Sequence, residues 1–235
     1  MIVFQTMFGS VDNPYEAFKR ALGADAVGWL DRNLTVDDLK PGIAKRFKVI
    51  GGPLPFDKVY ALRGVRFFAM VLDDPGTRSM RQWSTAVNNE AHPHHALTHA
   101  FMPREVLEED LPFAKTIRDA TTRVLSPDGE EPSVEAAVAR IKAGPFLIGD
   151  PENLRPFVEV LARVLEVKPT DFGPHPFKAR GMPFPRKTGV PRIQAANPMD
   201  NALLAALEGL RTDGRDLVIT RRARPADEAT GSAGG

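Results

Sequence analysis

Apolar positions along the chain switch between short continuous runs and a three-to-four-residue spacing, and that switching sets the expected elements. Residues 2–9 (Ile-Val-Phe-Gln-Thr-Met-Phe-Gly) are β-branched and aromatic and end in glycine, which predicts an opening strand. Asn13-Pro14 reads as a cap followed by proline at the first helical position, and Tyr15, Phe18 and Leu22 carry a helix to Gly23. Val27, Trp29 and Leu30 extend the helical reading over 24–33. Pro41-Gly42, Gly51-Gly52-Pro53 and Pro55 break 34–56 into loops around one short strand, Phe47 to Ile50. Lys58 to Leu62 and Arg66 to Leu72 flank Arg63-Gly64 as a hairpin, or as one strand bulged at Gly64. Asp73-Asp74-Pro75-Gly76 closes that run as a turn. Residues 77–90 are polar with no clear period, and His95 to Met102 predict a strand stopped by Pro103.

The second half has mostly helical spacing. Val106, Leu107, Phe113, Ile117 and Val124 mark helix over 104–124, broken at Pro112. Ser133 is placed to cap a helix over 134–143 that carries Val134, Val138 and Ile141. Asp150-Pro151 precedes a stripe of Leu154, Phe157, Val158, Leu161, Val164 and Leu165, and Asn197-Pro198 precedes Leu203, Leu204, Leu207 and Leu210. Residues 216–220 (Asp-Leu-Val-Ile-Thr) predict a closing strand. The expected fold is α+β: a mixed or antiparallel sheet of 2–9, 57–72, 95–102 and 216–220, the first and last strands adjacent, with helices mainly from the C-terminal half. One domain covers 1–221, and 222–235 is a flexible C-terminal tail, small, polar and glycine-rich.

Length changes this picture little: 235 residues with 43% hydrophobic content suffice for one large core. Proline changes it more, at 21 residues against a typical share of about 5%. Six prolines and three glycines fall within 169–192, too dense for a helix or a ladder strand, so this stretch is expected to be a long extended arm. At roughly 3.1 Å per residue such an arm spans about 70 Å. It interleaves Phe172, Phe177 and Phe184 with Lys178, Arg180, Arg186, Lys187 and Arg192. Three uses compete: wrapping its own domain with the phenylalanines pinned in grooves, docking on neighbouring protein subunits, and contacting single-stranded nucleic acid. In the last, cations neutralise phosphates, rings stack on bases, and the log–log salt slope is roughly −3.5 for five contacts.

Charge and cysteine content exclude more than they identify. A net charge of +1 removes any global attraction to nucleic acid and leaves only local patches. The chain has no cysteine, which removes disulfides, thiolate ligands and a cysteine nucleophile. No apolar run approaches the roughly 18–20 residues of a membrane span, and Met1-Ile-Val-Phe-Gln lacks the marks of a signal peptide, so a cytoplasmic protein without membrane contact is expected.

The densest candidate chemistry is His92-Pro-His94-His95-Ala-Leu-Thr-His99. His95 and His99 share a face in either a strand or a helix. Imidazoles with Asp73, Asp74 or Glu90 would suit zinc, and a zinc hydroxide would hydrolyse a substrate. Against this, no His-Glu-x-x-His occurs, and Pro93 extends the local chain. Gly-x-Gly-x-x-Gly, Gly-x-x-x-x-Gly-Lys-Ser/Thr and Gly-x-Ser-x-Gly are likewise missing. The expectation is therefore a non-catalytic subunit of a cytoplasmic protein or nucleoprotein assembly, with no cofactor, that contacts neighbours through the arm. A zinc-dependent hydrolase built on His92, His94, His95 and His99 is the alternative.

Overall fold

In a computed structural model of the chain, residues 1–6, 14–127, 129–174, 177, 190–210 and 217–219 are described. The tail 222–235 and arm residues 178–189 lie outside them. Strands and helices alternate from the start: β1 (Ile2–Gln5), α1 (Pro14–Leu22), β2 (Val27–Trp29), α2 (Ile43–Arg46), β3 (Val49–Gly52), α3 (Phe56–Tyr60) and β4 (Phe67–Val71). Six helices follow: α4 (Pro75–Val87), α5 (His95–Ala100), α6 (Pro103–Glu108), α7 (Pro112–Ile117), α8 (Ala120–Leu125) and α9 (Val134–Ala143). Then come β5 (Phe146–Gly149), α10 (Arg155–Leu165), α11 (Val190–Ala195), α12 (Pro198–Glu208) and β6 (Leu217–Ile219).

The sheet order is β2-β3-β1-β4-β5-β6. β1 to β5 are all parallel, and only the edge strand β6 runs antiparallel, against β5. This corrects the expected α+β fold with its mixed or antiparallel sheet: the body is a five-stranded parallel sheet sandwiched by helices, an α/β fold. The first and last strands are not neighbours, because β6 adds beside β5 while β1 sits between β3 and β4. Residues 95–102, expected as a strand, contribute α5; most of α3 falls within 57–62, also expected as strand; and 24–33, expected as helix, holds β2. The physical reason lies in burial. A parallel sheet is covered on both faces, so its strands read as short apolar runs without alternation, which periodicity cannot separate from buried helix.

Successive strand residues feed two cores. Val3, Ile50, Phe68, Met70, Phe146 and Ile148 pack with α3, α9 and α12 on one face. Ile2, Phe4, Val27, Trp29, Ala69 and Leu147 pack with α1 and α10 on the other. Gly51 is required by this packing, since a Cβ there would collide with the Trp29 ring across the strand pair. A third cluster joins Met80 and Trp83 of α4, Val106 of α6, Phe113 and Ile117 of α7, and Ile193 of α11. α4, α6 and α7 belong to the long β4–β5 connection, and α11 joins them from beyond α10.

The connections have a directional consequence. The chain leaves β1 through α1 toward β2, on the face of Phe4 and Phe18, while it leaves β4 through α4 to α9 toward β5, on the opposite side. Adjacent β1 and β4 therefore send their chains in opposite directions. In parallel α/β sheets that reversal opens a crevice outside the carboxyl ends of the strands, where ligands bind.

Candidate functional site: an electropositive cleft at the carboxyl ends of the strands

A cavity of about 400 Å³ sits at that reversal. Its floor is Gln5 and Thr6 at the end of β1, and Pro53 and Leu54 just past β3. Arg78 and Gln82 of α4 form one wall, and His92, Pro93 and His94 of the loop before α5 close over it. Lys115 and Thr116 of α7, with Ala120, Arg123 and Val124 of α8, complete the lining. Ala120, Arg123 and Val124 fall at i, i+3 and i+4, so one face of α8 meets the cavity. A smaller cavity of about 140 Å³ lies at the opposite, amino-terminal edge, between Met1, Lys48, Arg66 and Glu166.

The charges in the larger cavity have one sign. Arg78, Lys115 and Arg123 are cations, His92 and His94 can become so, and the described residues lining it include no carboxylate. The Arg123 guanidinium donates to the Lys115 carbonyl oxygen, which holds the two cationic residues side by side on α7 and α8. No ion pair among the described residues involves either one. His92 accepts the His94 backbone N–H at its Nδ1, 3.2 Å away, so its remaining nitrogen, Nε2, carries the proton of the neutral ring. Burial holds the His92 pKa below its ordinary value, and His94 and His95 push it the same way. Both effects favour its neutral form.

Arg78 is fixed from behind. It is 1% exposed, and its guanidinium donates to Asp200 Oδ2 and Thr121 Oγ1, each at 2.5 Å, and to the Ile117 carbonyl at 2.9 Å. Asp200 in turn accepts from the Thr122 N–H and hydroxyl, both at 2.7 Å. This network locks α4, α8 and α12 together behind the cleft wall. Among the described residues, two buried polar atoms of cleft-lining side chains have no hydrogen-bond partner: Arg78 Nε and Gln5 Oε1. Gln5 spends its other end on the Leu54 carbonyl, 3.2 Å away. An orphaned donor and an orphaned acceptor are costly in a protein interior unless something else fills the space.

The residues expected to carry chemistry are distributed differently. Of the histidines, His92 and His94 reach the cleft with their rings 5.7 Å apart, whereas His95 and His99 turn away on α5. The His95 and His99 rings lie 4.4 Å apart and contact the Ala86 and Val87 carbonyls at the end of α4, at 3.0 and 3.3 Å. Asp73 pairs with Arg81, and Asp74 caps α4 by accepting the Thr77 N–H at 2.8 Å. Among the described residues, no group of three or more His, Asp or Glu side chains is arranged to hold a metal ion, and the four histidines stand as two separate pairs.

Of the arm residues, Phe172 and Phe177 are each 1% exposed. Phe177 stacks on Phe4 of β1 at 5.3 Å, and Phe172 meets Phe18 of α1 edge-on at 5.8 Å. Helical turns do form at both ends of the proline-rich stretch: Pro169–Phe172 makes a 3-10 turn and Arg192 lies within α11. Lys178, Arg180, Phe184, Arg186 and Lys187 lie outside the described residues. Sequence reasoning missed Gln5, Arg78, Lys115 and Arg123. The available signals were a polar residue ending an apolar β run, and an arginine one turn past an Asp-Pro cap. Lys115 and Arg123 read as solvated helix positions, and nothing local distinguishes them. Among the described residues, no helix is long and apolar enough to cross a membrane. Compared with known proteins, the chain matches no family model, no curated protein and no solved structure.

Proposed function

We propose that this chain binds a small molecule bearing a phosphate- or sulfate-type oxyanion, held at the carboxyl ends of β1 and β3 by Lys115, Arg123 and His92. The observation that carries the reading is the lining of the cleft, in which Lys115 and Arg123 from separate helices converge with His92 and no described lining residue is a carboxylate. Its position at the reversal of strand connections supports the same reading, because that is where parallel α/β sheets take ligands. The volume falls within the range of small-molecule pockets, roughly 300–1,000 Å³. Docking of neighbouring subunits or single-stranded nucleic acid through the basic arm is a separate proposal, carried by the sequence alone. With Phe172 and Phe177 packed in the core, its test is deletion of 178–189 and not of the whole arm.

Calorimetric titration with inorganic phosphate and with sulfate at low ionic strength tests the cleft. Saturable binding that weakens about tenfold or more in Lys115→Ala/Arg123→Ala is expected. Both residues are exposed, so the double variant keeps its fold. Equal binding by the native chain and the double variant, or no binding by either, overturns the proposal.

A further inference from the structure

The cleft is only half polar, and its other half specifies what the oxyanion is attached to. Pro53 and Leu54 past β3, Pro93 before α5, and Ala120 and Val124 on α8 supply apolar lining to the cleft. Val124 lies next to Arg123 in sequence and four residues after Ala120, so the helix that offers a cation also offers the apolar contacts beside it. A lone oxyanion satisfies Lys115, Arg123 and His92 but leaves most of about 400 Å³ in contact with apolar atoms. Filling that space with water is unfavourable where the walls offer few polar partners.

Resting on the oxyanion reading above, we infer that the ligand is an ester: a phosphate or sulfate monoester of an aromatic or aliphatic alcohol. Its charged head lies between Lys115, Arg123 and His92, and its hydrocarbon body lies against Leu54, Pro53, Ala120 and Val124. The arrangement is that of a small-molecule pocket in which a few placed polar groups orient a ligand and apolar walls supply most of its burial. An inorganic anion would need the first set of residues and not the second.

The test compares methyl phosphate, phenyl phosphate and phenyl sulfate by calorimetry on the full-length chain. Phenyl phosphate is expected to bind at least about tenfold more tightly than methyl phosphate, since the ring removes apolar surface from water. Val124→Ser should shrink that ratio at least about threefold, weakening phenyl phosphate more than methyl phosphate. Lys115→Ala/Arg123→Ala should weaken both esters alike. The ratio of phenyl phosphate to phenyl sulfate then separates a site for a dianionic head from one for a monoanionic head. Equal binding of methyl and phenyl phosphate, both lost in the double variant, overturns this inference and leaves the oxyanion site standing. A phenyl preference that Val124→Ser leaves intact also overturns it. Ester binding untouched by Lys115→Ala/Arg123→Ala overturns both.

Discussion

Removing Asp200 should unfold more of this protein than removing any exposed charge, because of where its partners sit. Asp200 and Arg78 side chains are each 2% exposed and lie 2.5 Å apart. The Asp200 carboxylate also accepts from Thr121 N–H at 3.2 Å and from the N–H and hydroxyl of Thr122 at 2.7 Å each. Asp200→Leu therefore leaves a buried guanidinium without its counter-charge and three further donors without their acceptor. Breaking a buried pair from one side costs about 3–5 kcal/mol. At about 2–4 °C per kcal/mol for a chain of this size, the melting midpoint falls by roughly 6–20 °C. Arg78→Met is expected to cost a similar amount from the other side. The double variant Arg78→Met/Asp200→Leu removes both charges together, so its loss should be smaller than the two single losses added, by about 2 kcal/mol or more. Urea unfolding at pH 7, followed by far-ultraviolet circular dichroism, measures all four corners of the cycle. Single losses below about 1 kcal/mol, or strict additivity, would refute the claim that this pair ties α4 to α12.

Three other perturbations probe different parts of the same reasoning. Gly51→Ala pushes a methyl group into the Trp29 ring and should cost about 1–3 kcal/mol, so an unchanged thermal melt would contradict the close strand–ring approach. Burial pushes Asp73 up to about 6, against the pull of Arg81 beside it, so the native state holds that proton to higher pH than the unfolded chain does. Its stabilising contribution is full below about pH 4 and is lost as pH rises through about 6. Asp73→Asn should therefore gain on the native chain by up to about 3 kcal/mol across that window, and a stability gap that stays flat with pH would sink the assignment. His92 should titrate below its ordinary value by proton NMR and shift upward when phosphate saturates the cleft. A His92 titration indifferent to phosphate would remove it from the oxyanion site.

The local signals that worked were those with local causes. Asn197-Pro198 starts α12 and Ser133 caps α9 through the Ala136 N–H, whereas Asp73-Asp74-Pro75-Gly76, expected as a turn, starts α4 with Asp74 on the Thr77 N–H. The stripe from Phe157 to Leu165 is the buried face of α10, and the run from Phe67 to Val71 is a strand. Backbone capping and helical spacing act within a few residues, so they are written in the sequence at the place where they operate.

Strand direction, sheet order and the cleft were settled only when the chain folded. Val27–Trp29 and Phe146–Gly149 are three- and four-residue apolar segments that resemble buried helix until partners appear on both sides. His95–Ala100 has a spacing equally compatible with strand and helix, and packing on α4 decides it. Gln5, Arg78, Lys115 and Arg123 are 118 positions apart from first to last. They become one site because parallel strands place every carboxyl end on the same edge and β1 and β4 send their chains in opposite directions there. The sequence by itself determined where α1, α9 and α12 start, which of their faces are apolar, and which common catalytic motifs are missing. Tertiary structure alone gathered scattered cations around an apolar cleft, because convergence of distant side chains depends on topology and leaves no period in the sequence.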